Sequence, residues 1–242
     1  MLKREATAFV FPGQGSQVVG MGLDFYNNFT IAKQVFEEVD DVLSYKLSKI
    51  IFEGSEAELK QTQNTQAALM AVSIAIIKVI EEETGKKAYE IAGVMAGHSL
   101  GEYSALCAGG SVSLKEATML LKNRGQFMAN ANKGSMIALI GMEDEKIHSL
   151  IEKAKEQEVL VIANDNSVGQ VVLSGNVDAV ERASVMAKEY GAKMAIKLDV
   201  SGAFHSPLLE EASLKMKEVL EKVKFDDLKC VVLNNVNVLP YE

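Results

Sequence analysis

Residues 91–96 form a short apolar run, residues 102–108 carry helical spacing, and between them stand Gly97-His98-Ser99-Leu100-Gly101. A chain passing from strand to helix over so few residues must turn sharply. Small residues two before and two after the tip let strand and helix pass closely, and a serine at the tip has its Oγ raised above the sheet. The bland alternative is a serine capping an ordinary helix, which leaves both glycines unexplained. A bare Gly-x-Ser-x-Gly is weak evidence; the strand before it and the helix after it favour the elbow.

The rest of the chain supplies a body for such an elbow. Residues 7–11 read as a strand ended by Pro12-Gly13 and a loop through Gln17. Residues 25–43 have helical spacing, and Thr65 can cap an apolar helix over 66–83. Ser113, with Glu116 three residues on, forms a capping box for a helix to about residue 129. After the turn 132–134 the rhythm changes to strand 135–140, helix 143–155, strands 159–163 and 170–174, helix 177–190 and strand 193–198. That β-α-β-β-α-β order is the pattern of a ferredoxin-like subdomain. A helix over 207–223 and a strand over 229–234 then return to the larger α/β style. The expected fold is therefore an α/β body from residues 1–133 and 200–242, with an inserted ferredoxin-like subdomain over 134–199. An insertion of this kind places a cleft between two bodies, a favoured position for a ligand.

Composition narrows the function. The chain has 242 residues and a formal net charge of −8. That argues against nonspecific binding to nucleic acid or an anionic membrane. Its two cysteines, Cys107 and Cys230, read as reduced cytosolic thiols in a chain too large to be a disulfide scaffold. The apolar stretch 6–11 is too short for a signal core. The longest apolar run, 67–77 before Lys78, falls short of the roughly 20 residues that span a bilayer. A soluble, cytoplasmic protein is expected.

A serine nucleophile needs a base. Of the three histidines, His148 falls on a solvated helix face and His98 adjoins Ser99, where it reads as part of the elbow's frame. His205 lies in a loop between a strand and a helix, the kind of position that carries function, and by elimination is the base. Gly13-Gln14-Gly15 is no dinucleotide loop, because Val18 stands where the third glycine of G-x-G-x-x-G belongs. On these residues alone a hydrolase and a transferase both remain open.

Phe11-Pro12-Gly13-Gln14-Gly15-Ser16-Gln17, Gly97-His98-Ser99-Leu100-Gly101-Glu102-Tyr103, Arg124-Gly125, Gly169-Gln170-Val171-Val172 and Ala203-Phe204-His205-Ser206-Pro207 occur in this order. Together they resemble the malonyl-CoA:acyl carrier protein transacylases of dissociated bacterial fatty acid synthesis, over essentially the whole chain. The resemblance implies a hydrolase-like α/β body with an inserted ferredoxin-like subdomain, and a ping-pong transfer of malonyl. Ser99 would attack the thioester with His205 as base, and the backbone N–H groups of Gln14 and Leu100 would hold the oxyanion. Arg124 would pair with the free carboxylate of malonate, whose shape a guanidinium fork matches bidentately.

Gln66 would be a further pocket residue, followed by Ala67 where the family usually has proline. Phe204 would crowd out an α-methyl group. The resemblance also implies that family members run several tens of residues past Glu242, and that a backbone carbonyl there orients the histidine; the alternatives to the transferase are a serine hydrolase or thioesterase on the same elbow, or a catalytically impaired fragment that docks the carrier protein. The implied partners are malonyl-CoA and acyl carrier protein, with no nucleic acid, no membrane and no cofactor beyond the coenzyme A thioester that is the substrate. The chain is expected to act as a monomer. Because carrier proteins are acidic, Lys188, Lys193 and Lys197 are expected to form a basic rim at the mouth of the cleft.

Overall fold

Hydrophobic alternation, glycines and caps place the elements of the computed structural model, which describes residues 3–131, 133–200 and 202–241. Asn132 of the expected turn and Ser201 of the histidine loop lie outside the described residues. In chain order the elements are β1 (Ala8–Phe11), α1 (Leu23–Asn28), α2 (Thr30–Leu43), α3 (Leu47–Glu53), α4 (Glu56–Lys60), α5 (Thr62–Thr84), α6 (Ala88–Ile91), β2 (Val94–Gly97), α7 (Gly101–Ala108) and α8 (Leu114–Ala129). There follow β3 (Ser135–Ile140), α9 (Asp144–Lys155), β4 (Leu160–Ser167), β5 (Gln170–Gly175), α10 (Val177–Met186), β6 (Met194–Lys197), α11 (Glu210–Leu220) and β7 (Val231–Leu233). The chain divides into two compact units, residues 1–126 with 218–242, and residues 127–217.

In the first unit β1, β2 and β7 make a parallel sheet with β2 in the centre. Ala8 lies opposite Val94 and Phe11 opposite Gly97, while Val94 lies opposite Val231. Helix α7 packs against all three strands and against α5, which in turn packs against α2. Helix α5 is long and apolar enough to cross a membrane by length and composition, a longer apolar helix than the run 67–77 suggests. Its residues Ala67, Ala68, Met70, Ala71, Ile74 and Ala75 are buried within the protein, which accounts for that composition.

Several boundaries depart from the expected ones for local reasons. Thr65 does not cap α5: its Oγ1 donates to the Leu59 carbonyl at 2.5 Å and the Gln61 carbonyl at 3.2 Å, inside a helix that already began at Thr62. The expected helix 25–43 breaks at Phe29, whose extended backbone (φ −128°) separates α1 from α2. The apolar run 91–96 splits between the end of α6 and β2. Proline-led residues Pro207–Leu209 form a 3-10 turn ahead of α11. The capping box before α8 forms as expected, with Glu116 N–H donating to Ser113 Oγ (3.1 Å) and Ser113 N–H to Glu116 Oε2 (3.2 Å).

The second unit is a four-stranded sheet in the order β4-β5-β3-β6, every neighbouring pair antiparallel. Alternate residues of β3 face opposite sides of a sheet. Ile137 and Leu139 join a core with Ile147, Leu150, Val180 and Ala183 of α9 and α10. Met136 and Ala138 join Val172, Met128 and Phe204 in a second cluster, against which Leu198, Val200 and Leu209 pack. The second cluster explains why this unit runs over 127–217 where the strand pattern suggests 134–199: the end of α8 and the 202–209 segment cover the sheet's other face.

Candidate active site

Three loops leave the carboxyl ends of the parallel strands: the loop after Phe11, the elbow after Gly97, and the turn beginning at Asn234. That edge is where open α/β sheets bind ligands. At the elbow Ser99 has φ +53°, a left-handed conformation that costs a non-glycine residue roughly 1–2 kcal/mol. The flanking glycines make the turn possible. A Cβ on Gly97 would overlap the backbone of Gly101 and Glu102, and one on Gly101 would lie 2.5 Å from the Phe11 carbonyl oxygen.

His98 N–H donates to the Phe11 carbonyl at 3.0 Å, tying the elbow to β1, and a Cβ on Gly13 would lie 2.8 Å from the His98 carbonyl oxygen. The first loop and the elbow are thus in direct contact at Gly13 and His98, and Gln14 and Ser99 are the next residue on each. The N–H groups of Gln14 and Leu100 donate to no group among the described residues.

Asn235, which sequence reasoning missed, completes the turn. Ser99 N–H donates to its Oδ1 at 2.7 Å, and its Nδ2 donates to the Gly97 carbonyl at 2.7 Å. The only sequence signal was its place just past a strand.

Arg124 reaches the same point from α8. A Cβ on the next residue, Gly125, would lie 2.8 Å from Gln63 Cα and 2.9 Å from the Thr62 carbonyl oxygen, so α8 meets α5 backbone to backbone there. The close approach brings Arg124 Nη1 to 2.6 Å from Gln66 Oε1, to which it donates, and Arg124 Nη2 donates to Ser99 Oγ at 3.0 Å. Gln66 is fully buried. The guanidinium also lies over the Tyr103 ring, 5.8 Å from its centroid. Burial pushes the Arg124 pKa down, with Tyr103 and Glu102 opposing the shift; an arginine remains charged. Burial pushes Tyr103 up, Arg124 opposing and Glu102 adding to it. Glu102 accepts a hydrogen bond from the Tyr241 hydroxyl.

Ser99, Arg124, Gln66, Gln14 and Leu100 all belong to the first unit, whereas His205 and Phe204 belong to the second. His205 is exposed with φ +55°. The next residue fixes its loop: Ser206 Oγ donates to the Ala203 carbonyl at 2.7 Å and accepts from Leu208 N–H at 3.3 Å. Phe204 is 5% exposed, its ring in the cluster with Met128, Met136, Ala138 and Val172. His148 stands on an exposed face of α9. Among the described residues no group of three His, Cys, Asp or Glu could hold a metal ion.

A family model described as the acyl transferase domain matches residues 8–233. The malonyl CoA-acyl carrier protein transacylase of Bacillus subtilis (strain 168) is 45% identical over 234 residues, covering 95% of this chain and 72% of that one. The chain belongs to this transacylase family. A crystal structure of an acyl-carrier-protein-S-malonyltransferase from Bartonella henselae superposes with a TM-score of 0.92 at 47% identity, covering 97% of this chain and 75% of that one. A type II PKS acyl-carrier protein in complex with its malonyl-transacylase gives a TM-score of 0.91 at 41% identity, covering 97% of this chain and 76% of that one.

Proposed function

We infer that the chain transfers malonyl from malonyl-CoA to the phosphopantetheine thiol of acyl carrier protein through a malonyl-Ser99 ester. The observation that carries the choice of acyl group is Arg124, whose Nη2 lies 3.0 Å from Ser99 Oγ. A cation within hydrogen-bond reach of the nucleophile suits an acyl group ending in a carboxylate, and a guanidinium fork can hold that carboxylate bidentately. An acetyl group offers it nothing.

Ser99 Oγ attacks the thioester carbonyl while His205 takes its proton. The oxyanion is held by the Gln14 and Leu100 N–H groups, one from each of the touching loops; loss of one such donor typically lowers the rate by about 10²–10³. The C–S bond breaks and coenzyme A leaves as the thiol with the proton from His205. The carrier thiol then attacks the malonyl ester, giving its proton to His205, which returns it to Ser99 Oγ. Coenzyme A thioester enters as substrate, and no other cofactor has a step. Gln66 fixes Arg124, and Phe204 anchors the His205 loop and bounds the acyl site.

The body carrying Ser99 is read as hydrolase-like. The antiparallel order β4-β5-β3-β6 with α9 and α10 supports a ferredoxin-like insertion over 134–199. The family resemblance supports a cytoplasmic monomer acting on soluble partners. Exposed Lys188, Lys193 and Lys197 are proposed to attract the acidic carrier. The test is the fate of the acyl group when malonyl-CoA is mixed with the protein and purified phosphopantetheinylated carrier. Malonyl-carrier is the expected product. Free malonate, formed equally without carrier, would make the protein a hydrolase instead.

A further inference from the structure

One side chain holds both peptide groups that flank His98, immediately before the nucleophile candidate. Ser99 N–H donates to Asn235 Oδ1, and Asn235 Nδ2 donates to the Gly97 carbonyl, each at 2.7 Å. Asn235 follows β7, the strand beside β2, and so reaches the elbow from the neighbouring loop at the same sheet edge. The serine it holds is in the left-handed region at φ +53°. Such a conformation persists only where the surroundings over-determine it. The glycines at 97 and 101 permit the turn by giving it room; they do not select it. Beside the backbone bonds of the elbow, Asn235 adds to the selection, because its amide presents an acceptor to Ser99 N–H and a donor to the Gly97 carbonyl a fixed distance apart.

The same contact sorts the elbow's donors. With Ser99 N–H committed to Asn235, the Leu100 N–H, which donates to no group among the described residues, is the one left for an oxyanion. We propose that Asn235 is a positioning residue, whose side-chain amide clamps the Gly97–Ser99 turn so that Oγ is presented and the Leu100 N–H is kept for the oxyanion. Asn235 touches no substrate atom in this account. The proposal rests on Ser99 being the nucleophile, and its effect belongs in the rate of acylation rather than in substrate affinity.

Two variants separate a clamp from a mere packing contact. Asn235→Ala removes both bonds. Asn235→Asp keeps the acceptor, but as a carboxylate it faces the Gly97 carbonyl with no proton to give; protonated, it recovers one donor. The measurement is the single-turnover rate of Ser99 malonylation at a series of malonyl-CoA concentrations, read by intact mass, together with labelling of Ser99 by a fluorophosphonate. Asn235→Ala is expected to lower the limiting rate by roughly 10–100-fold, a fraction of the loss typical of a whole oxyanion donor, with the half-saturating malonyl-CoA concentration unchanged within twofold. The rate of Asn235→Asp relative to wild type is expected to rise as pH falls through the carboxylate range.

Limiting rates within twofold of wild type for both variants would overturn the clamp. So would a loss confined to substrate affinity, or an Asp variant whose deficit is flat with pH. If wild type takes the phosphonate but no malonyl, the transacylase reading fails, and slower phosphonate labelling of Asn235→Ala still supports the clamp. A wild-type serine inert to both reagents would overturn the two together.

Discussion

The Arg124 guanidinium donates at once to Ser99 Oγ and to Gln66 Oε1, so it stands at hydrogen-bond distance from the oxygen proposed to carry the acyl group. The free carboxylate of a malonyl ester on that oxygen is proposed to meet the fork. Breaking one side of a buried, hydrogen-bonded charge pair costs about 2–5 kcal/mol. Arg124→Ala is therefore expected to slow malonyl loading from coenzyme A by roughly one and a half to three and a half orders of magnitude, at about 1.4 kcal/mol per tenfold, while acetyl loading changes little. Arg124→Lys keeps a charge without the fork and is expected to fall between the two. Loading rates from malonyl-CoA and acetyl-CoA, measured side by side, check this. An unchanged ratio in Arg124→Ala would remove the arginine from substrate selection.

Helix α8 carries Arg124, and its first turn is closed by the reciprocal bonds of Ser113 and Glu116. Loss of such a cap costs about 1 kcal/mol, which in a chain of this size lowers Tm by roughly 2–4 °C. Ser113→Ala is expected to show that shift in a thermal melt, with the Ser99 acylation rate unaltered at lower temperature. A larger loss of activity than of stability would mean that the cap positions Arg124. Elements of this kind were legible in the sequence because their signals are local: a capping box spans four residues and the elbow glycines five.

What escaped the sequence depends on chain neighbours far apart. The Gly125 contact with Gln63 and Thr62 gives the Arg124-Gly125 pair its meaning only once α5 lies across α8. Asn235 reaches Gly97 from the turn after β7, 138 positions away. Thr65 reads as a cap in the sequence, but its hydroxyl bonds backward into the α4–α5 junction, where no periodicity points. The double burial of β3, apolar on both faces, looks in sequence like any short core strand. It is the second face that draws the Phe204–His205 loop into the second unit.

At the scale of the whole molecule, a chain of net charge −8 must bind a partner proposed to be acidic, so local charge decides the encounter. Lys188 and Lys193 are exposed, while Lys197 lies 3.5 Å from Glu181 in an exposed pair, an interaction worth little by itself. Steering by such lysines acts on association rate and is screened by salt. Carrier-dependent turnover is expected to fall steeply with added salt while loading from coenzyme A falls less, and Lys188→Glu with Lys193→Glu is expected to raise KM for the carrier alone. Equal responses of the two half-reactions would place the docking surface elsewhere.

The central claim is the covalent one, that malonyl rests on Ser99 between donor and carrier, and intact mass spectrometry reads it directly. Wild type mixed with malonyl-CoA is expected to gain one malonyl group on Ser99 and to lose it when phosphopantetheinylated carrier is added, while Ser99→Ala gains nothing. A malonyl adduct on Ser99→Ala, or a wild-type adduct that the carrier does not discharge, would contradict the account.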